Sequence, residues 1–150
     1  MIPWVLLDTA EMPDGGGDLR LMQRGAEFSI MCGPIELMNS RLSGSEEALA
    51  AMAGAKLQDR PRPDVLIGGL GMGFTLRAAL AALGPEAQVT VAELVPAVIA
   101  WARGPLAPVF GDSLADPRVS VVEGDVAGLM AQARRAYDAI LLTSTTAPRG

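Results

Sequence analysis

The sequence predicts an α/β fold in which a parallel-sheet domain follows a small antiparallel β meander. From Asp64 onward, short apolar runs alternate with helical segments, and this alternation is typical of βαβ units with right-handed crossovers. Before residue 43, short strand-like runs are separated by turns that contain glycine or proline, a pattern typical of antiparallel hairpins. We therefore predict two domains, a β meander at 1–43 and the parallel-sheet domain at 44–150.

The meander is predicted from strand candidates that are bounded by turn residues. A glycine-rich turn at 13–17 follows the first strand, the dipeptide Arg24-Gly25 joins the second to the third, and Gly33-Pro34 precedes the fourth. The four strands are expected at Trp4–Leu7, Leu19–Gln23, Phe28–Cys32 and Ile35–Met38.

A helix is predicted to begin at Ser43, between the meander and the first parallel strand. Ser43 and Glu46 have the spacing of a capping box, in which the hydroxyl accepts a backbone N–H and the carboxylate reaches back to another. The apolar residues of this segment that we expect in the core are Leu49, Met52 and Leu57.

The parallel sheet is predicted from four short apolar runs and the helices between them. The strands are expected at Val65–Ile67, Val89–Ala92, Val119–Val122 and Ala139–Leu142. The helices are expected at Phe74–Leu83, Pro96–Arg103 and Val126–Arg134, and Pro96 suits a first helical turn.

The composition excludes several classes of function. The 150 residues carry a net charge of −5 and no basic run, so we expect neither a nucleic-acid nor a membrane partner. The chain contains no histidine, which excludes a Ser-His triad, a histidine base and a histidine-ligated metal, and we expect no metal cofactor. Cys32 is the only cysteine, and no signal peptide precedes the meander, so we expect a cytoplasmic protein.

The glycine turn after the first parallel strand is the most informative motif. Gly69, Gly71 and Gly73 have the spacing G-x-G-x-G between a strand and a helix, where backbone N–H groups can approach a nucleotide. The dinucleotide fingerprint needs a glycine where Phe74 stands, so the motif favours an S-adenosylmethionine-type site over an NAD site. The alternative is a glycine turn with a purely structural role.

Two carboxylates follow the next two strands. Glu93 lies 20 residues after Gly73 and can accept hydrogen bonds from ribose hydroxyls. Asp125 follows the strand at 119–122 and can accept a hydrogen bond from an adenine amino group. The alternatives are a solvated strand end for Glu93 and a helix N-cap for Asp125. The glycine turn and both carboxylates together predict an adenosyl-nucleotide site.

These motifs resemble the spermidine synthase family, and the bacterial spermidine synthase-like proteins more closely. The resemblance is carried by Asp64–Gly73, Val91–Ile99, Asp116–Val119, Glu123–Asp125 and Tyr137–Leu142. It implies a Rossmann-like fold of the S-adenosylmethionine methyltransferase type, a homodimer, and a ligand that is S-adenosylmethionine, its decarboxylated form or methylthioadenosine. It also implies that Glu93 binds the ribose and Asp125 the adenine.

The chain departs from the family's pattern at two catalytic positions. The glycine loop of the family carries an aspartate that holds the amine substrate, where this chain has Gly71. The family's catalytic aspartate follows the last strand, where this chain has Thr143. A threonine hydroxyl is far too weak a base at neutral pH to replace a carboxylate. We therefore name no catalytic residue and expect impaired aminopropyl transfer.

Three hypotheses for the function remain open at this point. The first is a spermidine synthase-like nucleotide-binding protein that keeps the nucleotide half of the family's fold and ends early, at Gly150. The second is an S-adenosylmethionine-dependent methyltransferase on a small acceptor, and the third is a non-catalytic remnant that binds nucleotide or forms a dimer. The acceptor is not identified by the sequence.

Overall fold

The computed structural model describes residues 2–12, 15, 17–41, 44–132 and 137–142. By their contacts, the residues up to 41 form one compact unit, and those from 44 to 142 form a second. No helix in these ranges is long and apolar enough to cross a membrane.

The N-terminal unit is an antiparallel meander of four strands in the order β1-β2-β3-β4, as the sequence predicts. The first strand extends beyond its predicted end at Leu7, because its pairing with β2 continues as far as Glu11 opposite Asp18. The strands are β1 (Val5–Glu11), β2 (Asp18–Arg24), β3 (Glu27–Cys32) and β4 (Ile35–Asn39).

The two faces of the meander differ in character. Successive side chains of a strand point to opposite faces. One face buries the side chains of Leu19, Leu21, Phe28 and Ile30, which form the core of this unit. On the other face, Arg20 of β2 lies opposite Met31 of β3, and the neighbouring pairs continue the same alternation.

The second unit alternates helices with parallel strands. Four strands form one sheet in the order β7-β6-β5-β8, so β5 and β6 are central and β8 is paired with β5 alone in the described part of the chain. This order confirms the predicted parallel sheet, in which the strands expected at 65–67 and 139–142 are neighbours. The elements are α1 (Gly44–Lys56), β5 (Asp64–Gly68), α2 (Phe74–Ala82), β6 (Gln88–Glu93), α3 (Pro96–Arg103), α4 (Ala107–Phe110), β7 (Val119–Glu123), α5 (Val126–Gln132) and β8 (Ala139–Leu142).

Helix α1 packs on α2 through small residues, which corrects the core predicted for this helix. Leu49 and Met52 are 38% and 61% exposed, and of the three predicted core residues only Leu57 is buried. A Cβ atom at Gly54 would lie 2.6 Å from the Cβ of Ala82, so the two backbones approach too closely for a large side chain. The small face is therefore the buried one. The predicted cap residue Ser43 lies outside the described residues.

Hydrogen bonds from and to Asp138 link the edge strand β8 to the central strand β5. Its Oδ2 accepts a hydrogen bond from the backbone N–H of Asp64 at 2.7 Å, and its own N–H donates to the carbonyl of Asp64 at 2.7 Å. Its Oδ1 accepts a hydrogen bond from Nη1 of Arg60 at 2.8 Å. One aspartate thus fixes the register at which the two strands begin.

Arg118 joins the start of β7 to the end of α2. Its Nε and Nη2 donate to the two carboxylate oxygens of Asp116 at 3.0 and 2.9 Å. Its Nη1 donates to the carbonyl oxygens of Leu83, the C-cap of α2, and of Gly84 at 2.9 and 3.2 Å, and so supplies a donor at the end of the helix. The side-chain hydrogen bond from Arg118 is the main cause that lowers the pKa of the Asp116 carboxyl to about 2.

The Asp116–Arg118 pair predicts an acid-sensitive contribution to stability. Because the folded-state pKa of Asp116 is lowered from 3.8 to about 2, the contribution is present above about pH 4 and is lost as the pH falls towards 2. We expect Asp116→Asn to lower the melting temperature at pH 7 and to flatten its dependence on pH between 4 and 2. The control is Asp112→Asn, since the Asp112 side chain makes no capping hydrogen bond. Equal pH profiles for the two variants in thermal melts would contradict the assignment.

Candidate functional site

The structure brings the predicted site residues to one edge of the parallel sheet. The glycine turn follows β5, Glu93 ends β6, and Asp125 comes two residues after β7. Backbone hydrogen bonds join these strand ends: Gly69 N–H donates to the carbonyl of Ala92 at 2.8 Å, and Gly124 N–H donates to that of Glu93 at 2.9 Å. In open α/β sheets, ligands bind outside the carboxyl ends of the strands, which is this edge.

The glycine turn has a backbone that other residues rarely adopt. Gly69, Gly71 and Gly73 have φ angles of +96°, +52° and +82°, all in the left-handed range. Gly73 also lies under the ring of Phe110, where an added Cβ would be 2.5 Å from Cε2. The turn closes through a hydrogen bond of 2.9 Å from Gly73 N–H to the carbonyl of Leu70, and α2 begins at the next residue.

Glu93 is buried, so the alternative of a solvated strand end is wrong. Only 8% of the residue is exposed. Its Oε1 accepts a hydrogen bond from the backbone N–H of Leu70 at 2.8 Å, and its Oε2 accepts one from Val95 N–H at 3.0 Å. The carboxylate therefore contacts the glycine turn directly. Each oxygen retains capacity for a second hydrogen bond, such as one from a ribose hydroxyl.

Asp125 is exposed and caps the helix that follows it. Its Oδ1 accepts a hydrogen bond from Ala127 N–H at 3.1 Å, and its backbone carbonyl accepts the first helical bond, from Leu129 N–H at 3.2 Å. In this structure Asp125 therefore acts as a helix N-cap, which is the alternative role considered for it from the sequence. A carboxylate holds up to four acceptor sites, so capping leaves room for a donor on a ligand.

The structure describes only one of the two positions, 71 and 143, at which the chain departs from the family's catalytic pattern. Gly71 lies buried in the glycine turn, where it has no side chain to pair with a cation. Thr143 lies outside the described residues. No cluster of three or more potential metal ligands occurs in the described part of the chain.

Two buried residues next to the glycine turn were not predicted from the sequence. Phe110 belongs to α4, which the sequence did not predict, and its side chain is 1% exposed. Thr75, in the first turn of α2, is 3% exposed, and its hydroxyl has no hydrogen-bond partner among the described residues. The residue types gave little signal, because an isolated phenylalanine or threonine occurs at many positions unrelated to a site.

Comparisons with known proteins agree with this architecture. No family model matches the chain. Over 84 residues the chain is 40% identical to polyamine aminopropyltransferase 1 of Streptomyces coelicolor, a stretch that covers 55% of this chain and 16% of that protein.

Solved structures of spermidine synthases share the fold. The enzyme from Thermotoga maritima matches with a TM-score of 0.73 and 20% identity over 96% of this chain and 48% of its own. A spermidine synthase in complex with the transition-state analogue AdoDATO matches with a TM-score of 0.71 and 19% identity over 91% of this chain and 46% of its own. The chain thus spans about half the length of these neighbours.

The fold is an α/β fold with a β meander before a parallel sheet, and it is the fold of the spermidine synthases. The chain is thus similar in sequence to a polyamine aminopropyltransferase and in fold to spermidine synthases, and the resemblance predicted from its motifs is confirmed.

The contact between Gly73 and Phe110 predicts a large effect of one added methyl group. Gly73→Ala places a Cβ against the Phe110 ring and a non-glycine residue at φ +82°. We expect a loss of about 2–4 kcal/mol in the free energy of unfolding. The matched control is Gly84→Ala, where no atom lies within 4 Å of the new Cβ. There we expect a change within about 0.5 kcal/mol. Urea unfolding measures both variants, and equal midpoints would refute the close contact.

Proposed function

We propose that this chain binds an adenosyl nucleotide at the carboxyl edge of its parallel sheet. The ligand is S-adenosylmethionine, decarboxylated S-adenosylmethionine or methylthioadenosine. The observation that carries the proposal is the buried carboxylate of Glu93, which ends β6 and is hydrogen-bonded to the turn that follows β5. A carboxylate is rarely buried unless it is paired, and this one is paired with backbone donors at the edge where ligands bind in this class of fold.

Each part of the ligand has a partner of suitable chemistry in this site. Glu93 accepts hydrogen bonds from the ribose hydroxyls while it keeps its two backbone donors. Asp125 accepts one from the amino group of adenine. Leu94, which follows Glu93 directly, is 44% exposed and offers an apolar surface on which a flat base can pack. Gly69, Gly71 and Gly73 let the backbone approach the remainder of the ligand closely.

We propose further that aminopropyl transfer is impaired in this chain. In that reaction an amine nitrogen attacks the carbon beside the sulfonium, the C–N bond forms, the C–S bond breaks, and methylthioadenosine leaves. The attacking amine gives up a proton to a base, and its second ammonium group must be held by a carboxylate. Gly71 and Thr143 stand where the family's pattern supplies those two carboxylates, and neither residue can replace one.

Two other functions remain candidates on the same site. A methyltransferase acting on a small acceptor needs the adenosyl site but no carboxylates for a diamine, so the two departures do not weigh against it. A non-catalytic protein that binds nucleotide or forms a dimer needs no base at all. Spermidine as product supports the first function, methyl transfer the second, and binding without turnover the third.

We also propose a cytoplasmic homodimer. Strand β8 forms the edge of the parallel sheet in the described part of the chain, and Ile140 and Leu142 on it are 39% and 59% exposed. An apolar edge strand tends to recruit a partner strand. The single cysteine and the absence of a basic run agree with a reducing compartment and with no nucleic-acid partner.

Nucleotide binding predicts a specific loss in Glu93→Ala. We expect titration calorimetry with methylthioadenosine to show an affinity lower by about 1–3 kcal/mol, because a charged hydrogen-bond acceptor is removed. The wild-type protein should bind NAD more weakly than methylthioadenosine. Glu86→Ala is the matched control, since Glu86 is an exposed glutamate just before the other end of β6. Circular dichroism at the titration temperature verifies folding, and equal affinities for Glu93→Ala and Glu86→Ala would exclude this site.

Impaired aminopropyl transfer predicts no detectable spermidine from putrescine and decarboxylated S-adenosylmethionine. Thr143→Asp alone should not restore the product, because Gly71 still supplies no carboxylate for the second ammonium group. Chromatography of the reaction mixture measures spermidine, and the spermidine synthase of Thermotoga maritima serves as the positive control. Robust turnover by the wild-type chain would show that other residues supply the base.

The exposed edge predicts self-association. We expect light scattering during size-exclusion chromatography at tens of micromolar to show a dimer or a larger assembly. Ile140→Lys should shift the protein towards monomer, because charged residues on an edge strand disfavour pairing, whereas Met52→Lys on the exposed side of α1 should not. A stable wild-type monomer would contradict the proposed homodimer.

A further inference from the structure

One face of the N-terminal meander carries Arg20, Met22 and Arg24. This face contains a cavity of about 480 Å³, whose lining includes none of the residues of the proposed nucleotide site. It lies within one unit, over β2, β3 and β4. Arg20, Met22 and Arg24 alternate along β2 on this face, and Ser29 and Met31 of β3 face them in register. The volume is in the range of small-molecule sites.

The charge of this cavity is opposite to that of the protein. Its lining includes three arginines, Arg20, Arg24 and Arg41, and one glutamate, Glu36. These three are the only basic residues among the first 42 positions, which also hold six acidic residues. Repulsion between like charges disfavours their gathering in one place. All the basic residues of this acidic segment nevertheless line one cavity, so the cavity is well suited to bind an anion.

The arginines are positioned by weak or single contacts that leave donors for a ligand. Arg41 is 47% exposed, and its distances to carboxylate oxygens of Glu27 and Glu36 are 3.8 and 3.9 Å, beyond hydrogen-bond length. In the described part of the chain, Arg20 donates one side-chain hydrogen bond, to the carbonyl of Gly33, and Arg24 donates one, to Glu27. A guanidinium has five N–H donors.

Glu36 offsets only one of these three charges, and its carboxylate is hydrogen-bonded by neutral side chains. Ser29 Oγ donates to its Oε2 at 2.5 Å, and Asn39 Nδ2 donates to its Oε1 at 2.9 Å. The hydrogen bond from Ser29 is the largest cause that lowers the pKa of Glu36. At neutral pH the three arginines therefore outnumber the two carboxylates near them, Glu36 and the Glu27 that pairs with Arg24.

The remaining lining is apolar. Met22, Met31 and Pro34 contribute to it, together with Trp4. The guanidinium carbon of Arg24 lies 4.5 Å from the centre of the Trp4 ring, a cation–π contact that orients both side chains. Apolar walls with a few convergent charges are the usual composition of a small-molecule site.

We propose that this cavity binds a small organic anion in which a carboxylate or a phosphate group adjoins a flat apolar part. The anionic group is held by Arg20 and Arg41, and the apolar part lies against Met22, Met31 and Trp4. None of the lining residues of the cavity belongs to the proposed nucleotide site, and the proposal does not depend on that function.

Titration calorimetry with three probes tests the proposal on the whole chain. Phenylphosphate and benzoate distinguish the phosphate from the carboxylate source, and inorganic phosphate lacks the apolar part. We expect one of the two organic anions to bind about tenfold more tightly than inorganic phosphate, owing to the apolar area that it buries. Arg41→Gln should weaken that binding about tenfold, and Arg20→Gln should act similarly.

The controls separate this site from general effects of charge and folding. Arg62→Gln removes an exposed arginine outside the N-terminal unit and should leave binding unchanged. Arg41 is exposed and loosely paired, so Arg41→Gln keeps the fold, which circular dichroism verifies. The proposal is overturned if no probe binds at millimolar concentration, or if Arg62→Gln weakens binding as much as Arg41→Gln. It is also overturned if affinity falls as protein concentration rises, because another copy of the chain then fills the cavity.

Discussion

The carboxylate of Glu93 is the group on which the geometry of the candidate site depends. It accepts hydrogen bonds from the turn after β5 and from the loop after β6, so one side chain positions two backbone segments. Without it, two buried N–H groups lose their acceptors, at a cost of about 1–3 kcal/mol each. The position of the carboxylate is thus set by the backbone of the chain itself.

The turn itself is fixed from its other side by packing. The ring of Phe110 lies against Gly73, and Phe110 is delivered by α4, a helix of a single turn that ends at Gly111. The position of the turn therefore depends on a contact between residues 37 positions apart in the chain. Tight packing of this kind transmits small shifts, because protein interiors have few voids to absorb them.

Much of this architecture could be predicted because it follows from the periodicity of apolar residues and from the turn residues that separate the elements. The parallel strands read as short apolar runs, and the glycine turn, Glu93 and Asp125 fall at their carboxyl ends, where the structure has them. What failed was the orientation of α1. Its larger side chains, Leu49 and Met52, suggested the core, but the approach of Gly54 to Ala82 selects the small face. The helix propensity and hydrophobicity of the residues in α1 do not tell which of its faces another helix packs against.

Helix α4 and the arginine-lined cavity were missed for a related reason. A four-residue helix is too short to show a hydrophobic period. The role of its residue Phe110 is visible only from the packing of its ring against Gly73. The three arginines lie between positions 20 and 41 of the sequence, where they form no basic run. The strand places Arg20 and Arg24 on one face, and the segment after β4 adds Arg41 to the same cavity, so the concentration of charge is created by the fold.

The strand order of the parallel sheet has a consequence for the sequence of folding events. Asp138 bonds to Asp64, 74 residues earlier, and β8 completes one side of the central strand β5. Until residues 139–142 leave the ribosome, β5 can pair with β6 but has an open flank. Closing so long a loop is entropically costly and slow. A newly made chain therefore leaves one side of this buried central strand open until β8 has been made, and β8 then protects it from wrong partners.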